Sequence, residues 1–192
     1  MKVTREQAAQ NRDRVLEVAA RLFRERGFDG IGVADLMKSA GLTHGGFYGQ
    51  FGSKEALMTE ACSRSFESAL QTWTTVGERA SGNPLAAVMQ GYLSHKHRDN
   101  PGTGCVIAAL GAEVSRQGSG LRRTVTDGTR TMLDLFTSFA PGRTKAAKRE
   151  RAIVAYASMV GAVILARAVD DAALSDEILQ AVTDALPGAN AA

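Results

Sequence analysis

Cysteine is scarce in this chain: 192 residues hold two, Cys62 and Cys105, and no Cys-x-x-Cys pair exists. That spacing argues against a zinc site, and two isolated thiols suit a reducing cytosol. Uninterrupted hydrophobic runs are missing as well. The longest candidate, Ala152 to Ala166, falls short of the ~18 residues that suggest a membrane span and is interrupted by Ser158 and Gly161. The N-terminus leads straight into a charged segment without the apolar core of a signal peptide. A soluble cytoplasmic protein with no membrane partner is expected. There is no polybasic arm. Residues 1–60 hold nine basic and eight acidic side chains, so the net charge of +3 is spread along the chain. Any nucleic-acid contact must then come from individually placed residues. No Gly-rich phosphate loop, Ser/His/Asp order or metal cluster is present, so no enzyme, metal or cofactor is expected.

What is there is helix, almost throughout. Thr4 and Gln7 form a Thr-x-x-Gln start signal. Val15, Leu16, Ala19, Leu22 and Phe23 recur at helical spacing, and Gly27 is a natural terminator. A short helix is expected over Val33 to Ser39, a turn at Gly41, and a third helix from Thr43, whose hydroxyl would cap it, to about Phe51. Ser53 should cap a fourth helix, from about Ser53 to Ser68, and the helical pattern continues to about Ala80. Further helices are expected over Leu85–His97, Cys105–Gln117, Leu121–Phe139, Lys145–Val169 and Ser175–Leu186, with residues 187–192 fraying. No strand pattern, repeat or low-complexity tract appears. The fold class is all-α: a three-helix head over residues 1–60 and a second helical domain over 61–192.

The stretch from Val33 to Phe51 carries the chemistry. Two short helices joined by a glycine turn make a helix-turn-helix. Leu36, Ala40, Leu42, Phe47 and Phe51 would pack against Val15, Ala19 and Leu22. The outward face of the third helix is then Thr43, His44, Gly45, Gly46, Tyr48 and Gln50. Such a helix is about 12 Å long, close to the width of a DNA major groove. Adjacent glycines lower helix propensity, so close approach of backbone to DNA is the reason we assign to them.

This segment resembles the TetR (TetR/AcrR) family of transcriptional regulators. The matching text is Val15-Leu16, Ala19, Leu22-Phe23, Gly27-Phe28, Val33-Ala34-Asp35-Leu36, Ala40-Gly41-Leu42-Thr43, Gly45, Phe47-Tyr48, Phe51 and Ser53-Lys54-Glu55-Ala56-Leu57. The resemblance implies that His44, Gly45 and Gly46 face base edges, and that Thr43, Tyr48, Gln50 and Lys54 contact phosphates. One departure stands at Ile31-Gly32, where the family often places a hydroxyl that would cap the second helix. The resemblance further implies a ligand-responsive repressor that binds an inverted-repeat double-stranded DNA operator as a homodimer. Pairing would run through about Lys145–Leu186, by way of Ala152, Ala155, Tyr156, Met159, Val160, Val163 and Ile164. Small Ala157, Ser158, Gly161 and Ala162 would permit close helix approach.

An unidentified small-molecule effector would sit between the middle helices, with Trp73, Met89, Tyr92, Leu93, Cys105, Leu110, Met132, Phe136 and Met159 as candidate lining residues. Aromatics and methionines suit an adaptable apolar pocket. His95 and His97 diverge on a helix and should hold no metal. The basic run Arg143–Arg151 reads as a solvated helix start. Cys105 leaves two readings open. It follows a Pro-Gly-Thr-Gly loop and would lie in the first turn of a helix, where a thiol is activated. The stretch Gly104–Leu110 also looks like that of some TetR-type regulators proposed to respond to electrophiles. Against this, its neighbours are apolar and no Lys, Arg or His lies within four residues, which favours a core or pocket residue.

Overall fold

The computed structural model describes residues 4–185 and is all-helical among them. Leu186, which closes the last helix in the sequence reading, and the fraying 187–192 tail lie outside the described residues. The elements are α1 (Arg5–Arg26), α2 (Val33–Ser39), a 3₁₀ turn (His44–Gly46) running into α3 (Phe47–Phe51), α4 (Lys54–Glu78), α5 (Pro84–Tyr92), α6 (His95–Asp99), a second 3₁₀ turn (Pro101–Thr103), α7 (Val106–Val114), α8 (Ser119–Phe139), α9 (Lys145–Ala168) and α10 (Ala172–Ala185).

Local signals set most boundaries. The Thr4 hydroxyl accepts from the Gln7 amide at 3.1 Å, while the Gln7 side chain turns to Asn11 and leaves the reciprocal half of the box unmade. Ser53 caps α4 by accepting from the Ala56 amide, Asn83 caps α5 and Thr144 caps α9. Gly41 takes a φ of +72° in the turn after α2, a conformation costly to any residue with a Cβ. Three expectations are corrected. The helix expected over Leu85–His97 is two helices, because the Ser94 side chain caps a new start at α6 and accepts from the His97 amide. Cys105 is the N-cap of α7 rather than part of its first turn. The final helix begins at Ala172, three residues earlier than expected, because the Asp171 carboxylate caps it through the Ala173 and Leu174 amides.

α4 joins the two halves. At about 1.5 Å per residue its 25 residues span about 37 Å. It packs on α1 in the head and most extensively on α8 in the body. Close approach to α8 depends on missing side chains. A Cβ at Gly128 would meet the Phe66 ring at 2.3 Å, and one at Gly77 would meet the Phe139 ring at 2.4 Å. In the head, Arg12 forks onto Glu60 at 2.6 Å and lies 4.8 Å over the Phe51 ring, tying α1, α3 and α4 together. The expected head core is present: Val15, Ala19, Leu22, Leu36, Ala40, Phe47 and Phe51 are buried, with Leu42 half-buried beside them.

α9 departs from its expected use. Ala152, Ala155, Tyr156, Met159 and Val163 point into the chain's own core. Of the expected face Val160 is half-buried and Ile164 exposed, and the solvent-facing apolar stripe is Ile153, Val154, Ile164 and Leu165, with Ala157 between them. A helix needs only ~100° of its circumference for one core; this one is apolar on both sides. By length and composition Lys145–Ala168 is apolar enough to cross a membrane, with a mean hydropathy of 1.5 over 18 residues. The window tolerates Ser158 and Gly161, which the run-based reading took as breaks. The buried side of that window is accounted for by the core formed with α7, α8 and α10.

Candidate nucleic-acid interface and effector pocket

The recognition segment is built in two layers. Phe47, fully buried, and Phe51 stack at 5.6 Å under it. Above them Tyr48 is 61% exposed, its ring edge-on to Phe47 at 5.1 Å and to His44 at 5.8 Å. The two ring contacts position Tyr48 while leaving most of its side chain exposed. Thr43, His44, Gly45 and Gly46 are exposed around it. Lys54 is half-buried in the first turn of α4, a few residues further along the chain.

Three details depart from the sequence reading. The Thr43 hydroxyl makes no capping bond, and the segment opens as a 3₁₀ turn rather than a continuous helix of eight residues. A 3₁₀ turn advances about 120° per residue against about 100° for an α-helix. That extra rotation carries Gln50 off the outer face: it is half-buried, and its Oε1 is buried without a hydrogen-bond partner. Gly49, which the sequence reading passed over, takes its place on the exposed surface. A Cβ at Gly45 or Gly49 would meet nothing within 4 Å, so nothing inside the protein requires glycine there.

The nine candidate pocket residues do not enclose one cavity. Tyr92, Leu93, Leu110, Met132, Phe136 and Met159 are packed as core, each at most 5% exposed. Met89 borders a cleft of about 310 Å³ between α5 and α9. Trp73 and Cys105 border a separate small cavity of about 50 Å³, together with His97, Arg24 and Thr72. The reason is the aromatic packing. Tyr92 lies 4.4 Å from the His97 ring and 5.8 Å from Trp73, and Phe136 lies 5.4 Å from Tyr156, so the rings fill the space between the middle helices.

His97 is the residue that sequence reasoning undervalued. It is buried, with Nδ1 2.6 Å from the Tyr92 carbonyl oxygen and Nε2 2.9 Å from the Cys105 amide nitrogen. A carbonyl can only accept and an amide N–H can only donate, so Nδ1 carries the proton and Nε2 accepts. Burial pushes the His97 pKa down, opposed by the bond to Tyr92 and aided by the nearby Arg167 charge. Arg167 in turn donates to the carbonyls of Arg98 and His97 at 2.9 and 2.6 Å. The apparent isolation of Cys105 from cations was a matter of sequence distance alone. The fold brings His97 to its amide, Arg24 to the same cavity, and the Tyr156 hydroxyl to 3.7 Å from its sulfur. Cys62 is buried, which pushes its thiol up to about 12 against the opposing charge of Arg24. No group of His, Cys, Asp and Glu suited to a metal ion occurs among the described residues.

Comparison with known proteins accords with this architecture. Residues 15–61 match the family model described as bacterial regulatory proteins, tetR family. The chain is 29% identical over 129 residues to the HTH-type transcriptional repressor NemR of Escherichia coli (strain K12), covering 66% of this chain and 65% of that one. It is 31% identical over 104 residues to the HTH-type transcriptional repressor DhaR of Mycobacterium sp. (strain GP1), covering 54% and 52%. The match thus spans just under two thirds of the length of the first of these curated relatives. The crystal structure of the E. coli NemR reduced form superposes with a TM-score of 0.77 at 25% identity, covering 93% of this chain and 95% of that one. A TetR-family regulator from Cytophaga hutchinsonii shares the fold alone, with a TM-score of 0.76 at 20% identity over 96% of both chains. The helix-turn-helix head on its capped α4 shaft, the matched segment and these relatives agree: residues 15–61 are a DNA-binding segment of the tetR family of bacterial regulatory proteins, and the described chain has the fold of TetR-family regulators.

Proposed function

We propose that this protein is a transcriptional repressor that binds an inverted-repeat DNA operator as a homodimer and is released by a small-molecule effector. The observation that carries the reading is the exposed recognition surface. Tyr48 stands out from a buried Phe47–Phe51 base beside bare backbone at Gly45, Gly46 and Gly49. Nothing inside the protein needs that arrangement, and DNA rewards it: hydroxyl and imidazole groups reach phosphates and base edges, and glycine lets backbone approach. Thr43, His44 and Tyr48 are assigned to the interface, with Lys54 as a phosphate contact. Gln50 serves only if its side chain swings outward. The second copy docks on the apolar stripe of α9 together with α10, where Leu174 is also exposed. Two heads on one two-fold axis then meet successive major grooves roughly 34–36 Å apart. A cytoplasmic location goes with this role. The test is a gel shift on the DNA upstream of the protein's own gene. Retardation of a two-half-site fragment, with none for a scrambled sequence, is the expected result. Equal retardation of both would overturn it.

A second reading is favoured by the setting of Cys105, and the E. coli relative's structure is itself described as a reduced form. Here Cys105 is the effector-responsive group. Its sulfur adds to a ring carbon of a quinone, the thiol proton passes to one carbonyl oxygen and the hydrogen on the attacked carbon leaves as a proton that ends on the other, so that a thioether-substituted hydroquinone remains. Its 9% exposure and the 50 Å³ cavity at its side admit only a small electrophile. Operator release by a quinone in the wild type but not in Cys105→Ser would establish it. Identical responses would leave a non-covalent effector.

A further inference from the structure

A cleft of about 320 Å³ lies between α1, α4 and the Pro101–Thr103 turn, outside both the recognition surface and the aromatic core. We propose that it binds a small organic carboxylate with a short apolar tail. The carboxylate is held by Arg24 with support from Arg64, and the tail lies along Val18 and Ala20.

Arg24 is the reason. Its Nε donates to the Gly102 carbonyl at 3.0 Å, one terminal nitrogen reaches the same oxygen, and the other reaches the Ser65 hydroxyl. It forms no ion pair with any carboxylate among the described residues. A half-buried guanidinium whose direct bonds go only to a carbonyl and a hydroxyl, with the Glu25 carboxylate acting on it without an ion pair, leaves a place for a directly bonded anion, since desolvated charge is normally paired. Burial accordingly lowers its pKa. Two of its five N–H donors remain after these three bonds, enough to receive a carboxylate oxygen.

The rest of the cleft fits the same ligand. Arg21 and Arg64 stand at the rim, half-exposed and paired with Glu25 and Asp13 at 3.1 and 2.9 Å. Surface pairs of this kind are weak and can re-aim. Glu17 is the one acidic group on the lining itself, and Glu25 and Asp13 are engaged by Arg21 and Arg64. Ser68 adds a neutral hydroxyl to the lining, while the Ser65 and Thr103 hydroxyls donate to the carbonyls of Ala61 and Asn100. Val18 and Ala20 supply an apolar wall, which a bare inorganic anion would leave unused. The cleft shares Arg24, Ser65, Ser68 and Thr103 with the smaller cavity on which Trp73 lies, so an occupant of one lobe alters the surroundings of that ring.

Trp73 is the chain's one tryptophan, so its emission reports changes in the shared lining independently of operator binding. Protein is titrated with sodium benzoate, with neutral benzamide and with inorganic phosphate, all at constant ionic strength. A saturable change with benzoate below about 10 mM is expected, with benzamide and phosphate weaker by about tenfold or more. Arg64→Gln should weaken benzoate by roughly threefold, and Arg24→Gln should abolish the change. Should Arg24→Gln fail to fold by circular dichroism, the Arg64→Gln shift and the benzoate–benzamide contrast still decide. No saturable change with benzoate, equal binding of benzamide or phosphate, or indifference to Arg64→Gln would overturn the assignment.

Discussion

The backbone amide of Phe28 donates to the Glu113 carboxylate at 2.7 Å, joining the loop after α1 to the far end of α7. The neighbouring Gly27 lies so close that a Cβ there would meet the same carboxylate at 2.7 Å. One side chain of the body thus holds the loop on which the head turns, and the other end of α7 begins at Cys105. Removing that acceptor leaves an amide unmatched in a part-buried site, which costs about 1–2 kcal/mol. Glu113→Ala should therefore lower the urea midpoint and speed exchange of the Phe28 amide, with Glu113→Gln intermediate. Unchanged exchange at Phe28 in the alanine variant would refute the contact.

The recognition surface divides its labour. Tyr48→Phe and Lys54→Ala should weaken binding to every DNA sequence, and Lys54→Ala should flatten the salt dependence by about one unit of slope. His44→Ala should change sequence preference more than non-specific affinity. Filter-binding titrations at several salt concentrations on operator and random DNA would separate the two behaviours. Equal loss on both DNAs for all three folded variants would defeat the division.

The stripe on α9 is exposed in the single chain, so charging it leaves the monomer's core untouched. Ile164→Glu combined with Leu165→Glu should turn a dimer into a monomer in sedimentation at micromolar concentration, with the helical circular dichroism retained. Ala155→Glu, inside the same helix but buried, should instead unfold the body. A double variant that still sediments as a dimer would place the interface elsewhere.

His97 makes stability depend on pH. Its folded pKa is lowered from the ordinary 6.5 by burial, so the unfolded chain takes up a proton that the folded chain resists. Stability is complete above the unfolded value and declines as pH falls below about 6.5 toward the folded value. Protonation would also set N–H against N–H at Cys105. The urea midpoint of the wild type should fall between pH 7.5 and pH 5.5, and the fall should shrink in His97→Gln. A fall of the same size in both would assign it to other groups.

Sequence alone determined the helical class, the head and most helix starts, because these depend on short-range chemistry. A threonine or serine hydroxyl can cap a helix by accepting from the amide three residues on, a bond made within one turn of chain, as at Thr4, Ser53 and Thr144 though not at Thr43. The buried Phe47 and Phe51 and the exposed Tyr48 follow from helical spacing in the same way. Tertiary structure decided what spacing could not express. On α9 both faces are apolar, and only packing against α7, α8 and α10 shows which is core and which is bare. Gln50 was turned inward by a 3₁₀ turn that costs too little to leave a mark in the sequence. The polar group around Cys105 assembles Arg24, His97, Tyr156 and Arg167, drawn from three helices, α1, α6 and α9. Each looked ordinary beside its neighbours in sequence. Charge and hydrogen bonding act through space, so a site gathered from residues up to 143 positions apart appears only once the chain has closed on itself.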